Sequence, residues 1–412
     1  MNVSFPYKRT LIASALALSA VHIHAAGFQL NAQSATGLGR AFAGDAVIGD
    51  NASVIARNPA AMSLFDRPAL SVGFETISTD IEVKNGSYTN NLTASSADAN
   101  SDSIGDTSIA PNFYYIRPVN EKFAWGVNAY SNFGTKTEFE DGYAGYEYGG
   151  KTDVVSANFG LVGSYKATEQ LTLGAGIDAV YGKGTFVRPA NPVVAANFGT
   201  ENLLEIEADG WGVGYNLGLM LEVDENNRFG FDYHFSPDIE ADGDVYRFGA
   251  TAAKQSDTVT MPLPDIAEFS GYHRIAPEYA VHYSIQFIRW SEFKTLEAKN
   301  AGTINTYNWQ DAMHYSIGGT YYMNDTWEIR AGYMYDTSAQ DQKRSISVPD
   351  SDRQWFSAGV TYKPDDVSSI DFGATYLLGE DVDVAENNAL SSITGTTHAN
   401  AILLGLQYSR SF

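Results

Sequence analysis

The sequence predicts an all-β fold: a 14-stranded antiparallel transmembrane β-barrel with an N-terminal helical hatch, or plug, domain. Three observations predict it. Segments of about ten residues alternate bulky apolar with small or polar side chains, a period of two that no helix sustains. The connections between these segments alternate between short and long. The composition joins 25 Tyr, 22 Phe and 6 Trp to a mean hydropathy of only −0.21, which suits walls that are apolar outside and polar inside.

Taken in order, the chain opens with Lys8 and Arg9, an apolar run from Leu11 to Ile23, and a small residue at Ala25. This reads as an export signal over 1–25, because the run is too short to span a bilayer as a helix. Residues 26–67 do not alternate. Gly37-Leu38-Gly39-Arg40 and the Ala-rich stretch through Asn58-Pro59-Ala60-Ala61 read as short helices and turns, with Asn58 as a cap and Pro59 as a helix-start proline. A 14-stranded barrel has a lumen to fill, so this segment is expected to form the plug. The barrel is expected over 68–412.

Trp211, Val213, Tyr215, Leu217, Leu219, Leu221 and Val223 alternate with Gly212, Gly214, Asn216, Gly218, Met220 and Glu222. The segments starting at Leu171, Phe229, Tyr279, Trp327 and Ile370 repeat the pattern. Turn-forming residues at Pro118–Glu121, Lys166–Gln170, Asp224–Asn227, Ala276–Pro277, Asn324–Thr326 and Pro364–Val367 fit short periplasmic turns. Longer outer loops are expected near Asp80–Asp106, Pro189–Leu203, Gly243–Met261, Thr337–Asp352 and Glu380–His398. The last alternating segment, Ile402 to Phe412, ends on an aromatic residue of the kind read by the barrel assembly machinery. A β-sandwich or propeller fits less well, because one face of each segment is too small and polar for a dry core.

The chain has no cysteine, which excludes disulfides and thiol chemistry, and its net charge of −23 would repel nucleic acid. No G-x-S-x-G, H-E-x-x-H or P-loop occurs, and His234, His273, His282, His314 and His398 lack metal-ligand spacing. No cofactor and no metal are implied, and a barrel-wall lipid hydrolase is the weaker enzyme alternative. In the segment from Leu171 even positions face inward, so Phe186 and Arg188 both point into the lumen. An inward arginine either holds a ligand carboxylate or pairs with an acidic wall residue.

The runs Gly27-Phe28-Gln29-Leu30, Gly37-Leu38-Gly39-Arg40-Ala41, Arg57-Asn58-Pro59-Ala60 and Phe65-Asp66-Arg67-Pro68 resemble the start of the long-chain fatty acid outer-membrane transporters, the FadL family. Ser131-Asn132-Phe133-Gly134, Thr137-Glu138-Phe139, Tyr143-Ala144-Gly145, Gly150-Lys151-Thr152-Asp153 and Arg344–Asp350 followed by Asp352-Arg353 extend the resemblance over the mature chain. The resemblance implies a monomeric barrel in outer-membrane lipid and lipopolysaccharide that passively carries long-chain fatty acids or similar hydrophobic ligands. It implies capture at outer loops, rearrangement of a hatch around Asn58, Pro59 and Ala60, and lateral release at a strand kink at Asn132-Phe133-Gly134. It places a carboxylate-contacting arginine at Arg188; by strand parity Phe186 can pack on an alkyl chain beside it, and Phe28 either contacts ligand from the hatch or anchors the hatch. One departure stands out: where a fatty-acid-binding relative carries a lysine, this chain has Glu297. Lys294, given inward parity with Trp290 and Glu292, either substitutes for it on the ligand or stands solvated near a strand end. This leaves a channel for neutral hydrocarbons as the first alternative and a general porin as the second.

Overall fold

The computed structural model describes residues 27–412, so the export signal read at 1–25 lies outside the described residues. Fourteen antiparallel strands form the wall: β1 (Ala69–Asn90), β2 (Thr107–Pro118), β3 (Phe123–Tyr130 and Gly134–Glu138), β4 (Lys151–Lys166), β5 (Leu171–Pro189), β6 (Asn202–Asp224), β7 (Asn227–Phe235 and Asp238–Arg247), β8 (Gln255–Pro262 and Ile266–Ala276), β9 (Tyr279–Ile288 and Thr295–Ala298), β10 (Gly302–Thr306 and Ala312–Tyr322), β11 (Trp327–Asp336), β12 (Arg353–Asp365), β13 (Ser368–Gly379 and Val382–Asn387) and β14 (Ser391–Ser411). β14 returns onto β1, from Ala69 opposite Ser411 to Asn90 opposite Ser391. This closure removes the sheet edges that a bilayer would leave unpaired.

The period-two pattern sorts side chains as expected. Val213, Leu217, Ile402 and Leu404 stand on the outer surface, while Asn216, Asp178 and Thr172 are buried inside. Tyr181 and Trp211, with ring centroids 5.2 Å apart, mark the upper border of the apolar belt. Above them the outward positions turn ionic, with Lys183 3.2 Å from Glu207 and Lys254 2.8 Å from Glu205. The upper parts of β5 and β6 therefore stand outside the bilayer, as do those of β13 and β14, where Asp381 meets His398 at 2.7 Å.

That geometry corrects the outer-loop expectations. Much of Asp80–Asp106, Gly243–Met261 and Glu380–His398 is strand rather than loop, and β1 and β14 run 22 and 21 residues. Beyond the bilayer both faces of a strand are wet, so the apolar alternation fades while the hydrogen-bond ladder continues. The stretch at Pro189–Leu203 does leave the wall, and carries a helix at Pro192–Phe198.

Residues 27–68 fill the lumen. Ser34 caps a helix at Ala35–Leu38, Asn51 caps a 3-10 turn at Ala52–Ala56, and Asn58 caps another at Pro59–Leu64. The Asn58 side-chain oxygen accepts from Ala60 N at 2.9 Å, and its Nδ2 donates to Ala46 O and Leu219 O at 3.0 Å. The wall makes room for this contact at Gly218, where a Cβ would lie 2.1 Å from the Asn58 oxygen. Two plug arginines reach carboxylates. Arg40 contacts Asp45 and Asp50 at 2.8 and 2.9 Å, and Arg330 of β11 approaches Asp50 at 3.5 Å. Arg57 donates to Asn31 Oδ1 at 2.6 Å and lies 3.9 Å from Glu268 of β8. No helix is long and apolar enough to cross a membrane among the described residues; the strands do that.

Candidate functional site

The first residues of the plug meet the break in β3. β4 pairs with both halves of β3, Tyr130 opposite Asn158 and Gly134 opposite Val155, so three residues of β3 face two of β4. This is a bulge at Ser131–Phe133, and it swings Phe133 into the barrel, fully buried. On the other side of β3 the ladder with β2 stops at Phe113 opposite Ala129. The next links are Glu138 N donating to Ile104 O at 3.1 Å and the ion pair of Lys136 with Asp106. Between these points β2 and β3 have no mutual strand ladder. The plug supplies the missing partners: Leu30 N donates to Asn132 O at 2.7 Å and Gly134 N to Phe28 O at 2.8 Å.

Phe28 is held there at the centre of an aromatic chamber. Its ring lies 4.7 Å from Trp290, 5.2 Å from Phe293, 5.7 Å from Trp309 and 6.1 Å from Phe133. Edge-to-face geometry dominates, as expected for ring quadrupoles. Gly27 is needed for this approach. Its φ is +60°, and a Cβ would lie 2.6–2.7 Å from Trp309 and Trp290. The chamber sits where β9 and β10 lose regularity, at the turn Trp290–Glu292 and around Tyr307–Trp309.

Directly above lies a pocket of about 650 Å³ that opens among the outer loops. Phe186, Tyr307 and Leu296 belong to both the pocket lining and the apolar cluster around Phe28, so the two spaces share a wall. The pocket carries the charged groups Arg188, Arg247, Glu147 and Glu386 and the amides of Asn305, Asn387 and Asn388 on otherwise apolar and hydroxyl-bearing walls. Arg188 points inward and is half-buried. Its guanidinium donates to Lys151 O at 2.5 Å, Val187 O at 3.0 Å and Thr152 Oγ1 at 2.7 Å. Three neutral acceptors hold it, and no carboxylate lies within ion-pairing distance among the described residues. Burial pulls its pKa below the ordinary value for arginine, partly opposed by the charges of Tyr307 and Glu386. Burial pushes the Glu386 carboxyl up to about 7, against the lowering effect of the Ile346 N–H, which donates to it at 2.9 Å, of Ser345 and of Arg188.

The structure thus brings Phe28, Phe133, Phe186 and Arg188 together, and seats Asn58, Pro59 and Ala60 lower in the lumen against β5 and β6. Asn132 lies within the bulge and Gly134 follows it. Lys294 is a correction. The Trp290–Glu292 turn breaks the alternation from which inward parity was read, and Lys294 faces outward, exposed, as does Glu297. The backbone carbonyl of Lys294, not its amine, serves the site, by accepting from Tyr307 N at 2.7 Å. Trp309, Tyr307, Arg247 and Glu386 were not anticipated. Trp290 has inward parity from Tyr279 onward and was readable as lining; the others lie past breaks in alternation, where no periodic signal survives. The Arg344–Asp350 run covers the chamber from above: Ser347 O accepts from Thr137 Oγ1 at 2.6 Å, and Val348 packs into the aromatic cluster. No group of His, Asp and Glu side chains is placed to hold a metal among the described residues.

Comparison with known proteins agrees with this architecture. The chain matches the family described as outer membrane protein transport protein (OMPP1/FadL/TodX) over residues 16–412. It is 36% identical to the long-chain fatty acid transport protein of Escherichia coli over 98% of this chain and 99% of that one. It is 35% identical to outer membrane protein P1 of Haemophilus influenzae, with the same coverage. A Pseudomonas aeruginosa FadL homologue superposes with a TM-score of 0.86, covering 94% of this chain and 100% of the other at 19% identity. The Pseudomonas putida toluene transporter TodX gives 0.68 over 94% and 100% at 18% identity, a likeness of fold. Closed 14-stranded wall, filled lumen and full-length match together place this chain in the outer membrane as a member of the OMPP1/FadL/TodX family of transport proteins.

Proposed function

We propose that this protein carries long-chain fatty acids inward across the outer membrane, without catalysing a reaction on them. The observation that carries the reading is the alignment of three features: an outer pocket with an arginine free of carboxylates, an aromatic chamber beneath it, and a broken strand ladder beside that chamber. In this mechanism the pocket captures the ligand and Arg188 orients its carboxylate, with Phe186 against the chain. The tail then displaces Phe28. Because the Phe28 carbonyl and the Leu30 amide hold the edge of β3, that displacement frees the gap between β2 and β3, and the ligand leaves sideways into the bilayer. Rearrangement of the plug about Asn58, Pro59 and Ala60 accompanies the step. Burying a ~16-carbon tail at ~0.8 kcal/mol per methylene contributes on the order of 10 kcal/mol. A charge-assisted hydrogen bond adds about 1.5–3 kcal/mol. The tail dominates affinity and Arg188 sets orientation.

In the same reading the barrel is a monomer surrounded by phospholipid and lipopolysaccharide, and Phe412 is the residue offered to the barrel assembly machinery. The test is uptake of radiolabelled oleate by a transporter-deficient Gram-negative strain. The expected result is restored uptake that falls roughly 10- to 100-fold at subsaturating oleate with Arg188→Ala, the equivalent of the hydrogen-bond term above. No uptake from correctly inserted protein would reject fatty acids.

A second reading, transport of neutral hydrocarbons, is favoured by one observation: the chamber is lined with rings and Lys294 does not reach it. Toluene uptake that survives Arg188→Ala, with no oleate uptake, would establish that reading instead.

A further inference from the structure

Between the outer pocket and the aromatic chamber lies a strap of chain that is not part of the wall. Ser345 and Ser347 line the pocket, while Val348, the next residue, packs into the apolar cluster around Phe28. The two spaces are separated here by the thickness of one backbone. The other residues common to both, Phe186, Leu296 and Tyr307, are fixed. Phe186 and Leu296 stand on laddered strands, and Tyr307 N donates to Lys294 O. Phe133, Trp290 and Val348 are buried, so a ligand leaving the pocket for the chamber has to displace part of this partition.

Residues 337–352 join β11 to β12 without regular structure, and their roots are held differently from their middle. The roots are anchored by buried charge. Asp350 accepts from Ser338 Oγ at 2.9 Å and from Ala339 N at 2.7 Å, and Arg353 lies 3.5 Å from Asp350 and 3.0 Å from Asp336. Gln340 clasps the two limbs together, donating to Val348 O at 2.6 Å and accepting from Ser345 N at 3.2 Å. The middle reaches other strands through single hydrogen bonds of its own backbone. Ile346 N donates to Glu386 of β13 at 2.9 Å, and Ser347 O accepts from Thr137 Oγ1 of β3 at 2.6 Å. Single hydrogen bonds are weak net ties beside a buried charge network, so the middle parts from the wall more readily than the roots do. Thr137 lies in Gly134–Glu138, the half of β3 above the bulge, so the strap also holds the strand that borders the β2–β3 gap.

We propose that residues 345–348 are a gate between pocket and chamber. A ligand tail pressing inward lifts Ile346 from Glu386 and Ser347 from Thr137, which opens the chamber and loosens the upper half of β3 in one movement. This step rests on the inward passage of a hydrophobic ligand argued above, and sets its order: the strap yields before Phe28 does.

The chain has no cysteine, so an introduced pair reacts alone. Arg344→Cys is combined with Asp383→Cys, at positions where the arginine donates to Asp383 O at 3.3 Å. Both are exposed and neither lines the pocket. A bifunctional methanethiosulfonate tethers the two thiols through reducible bonds and pins the strap beside Ser345. Uptake of radiolabelled oleate and of toluene is measured in the transporter-deficient strain before tethering, after it and after reduction, with oleate held at the cell surface measured alongside. Folding is verified by heat-modifiable gel migration. Lys343→Cys with Thr306→Cys, a pair now joined by a 3.2 Å hydrogen bond from Lys343 Nζ to Thr306 O, replaces the first pair should it not insert. The expected result is a fall of about tenfold or more in uptake of whichever ligand the untethered form carries, reversed by reductant, with surface-held oleate retained. Unchanged uptake after tethering overturns the gate and leaves the fatty acid reading standing. An equal fall when the reagent is placed on Arg344→Cys alone overturns it too, because bulk rather than tethering then blocks the route. Loss of surface-held oleate together with uptake overturns it in favour of a closed pocket. Untethered protein that passes neither ligand overturns the gate along with the transport reading on which it rests.

Discussion

Arg188 and Glu386 face one pocket with opposite tendencies, and their relation governs how an anionic ligand is received. Glu386 is held up to about 7 by burial, so it is largely neutral below that pH and ionised above it. Ionisation places a negative charge beside the arginine and against an incoming head group. Binding of an anionic ligand is therefore strongest below pH 7 and weakens as pH rises through it. A long-chain alkyl sulfonate, whose charge does not titrate, isolates the effect. Its Kd is expected to rise about fivefold from pH 6 to pH 8, the result of roughly 1 kcal/mol of like-charge repulsion. Glu386→Gln is expected to remove the pH dependence, and a variant that keeps it would shift the titrating group elsewhere. Phe28 works differently. It bears no charge, and its importance lies in joining the aromatic chamber to the edge of β3 through its own backbone carbonyl.

At the level of elements, the plug is a set of very short helices, too short to be stable alone. Caps and wall contacts hold them. Asn58 does both, capping Pro59–Leu64 and donating to carbonyls of the plug and of β6. Asn58→Ala removes a cap worth about 1 kcal/mol and leaves two carbonyls without that donor. Amide exchange over 46–64 is expected to quicken roughly tenfold or more while the strands keep their protection. Unchanged exchange there would show that packing, not Asn58, fixes the segment. β3 shows the complementary case, a strand whose bulge is stabilised by pairing with the plug rather than with its neighbour.

For the whole molecule, the proposed function requires that the seated plug close the lumen to ions. Arg40 and Arg57 cross-link the plug internally, to Asp45, Asp50 and Asn31, and Arg57 also reaches Glu268 of the wall. Replacing both by alanine strands buried carboxylates, a change that costs about 3–5 kcal/mol for each broken buried pair. The wild-type barrel is expected to show little steady conductance in a planar bilayer, and the double variant frequent openings. A wild type that conducts steadily would mean a general porin.

The fold was legible in the sequence because its signals are local. A strand between lipid and a polar lumen writes a two-residue period, as from Trp211 to Val223, and Asn58-Pro59 is a capped helix start whatever surrounds it. Arg188 and Phe186 were placed correctly by the same parity, since β5 runs without a break. Parity failed at Lys294 because a three-residue turn at Trp290 reset it, and it faded where strands left the bilayer. The tertiary structure alone decided what meets across the barrel. Phe28 lies more than 250 residues from Trp290 and Trp309, and Glu386 nearly 200 from Arg188. Such pairs depend on closure, strand register and bulges, which sum over the whole wall and leave no mark within any single segment.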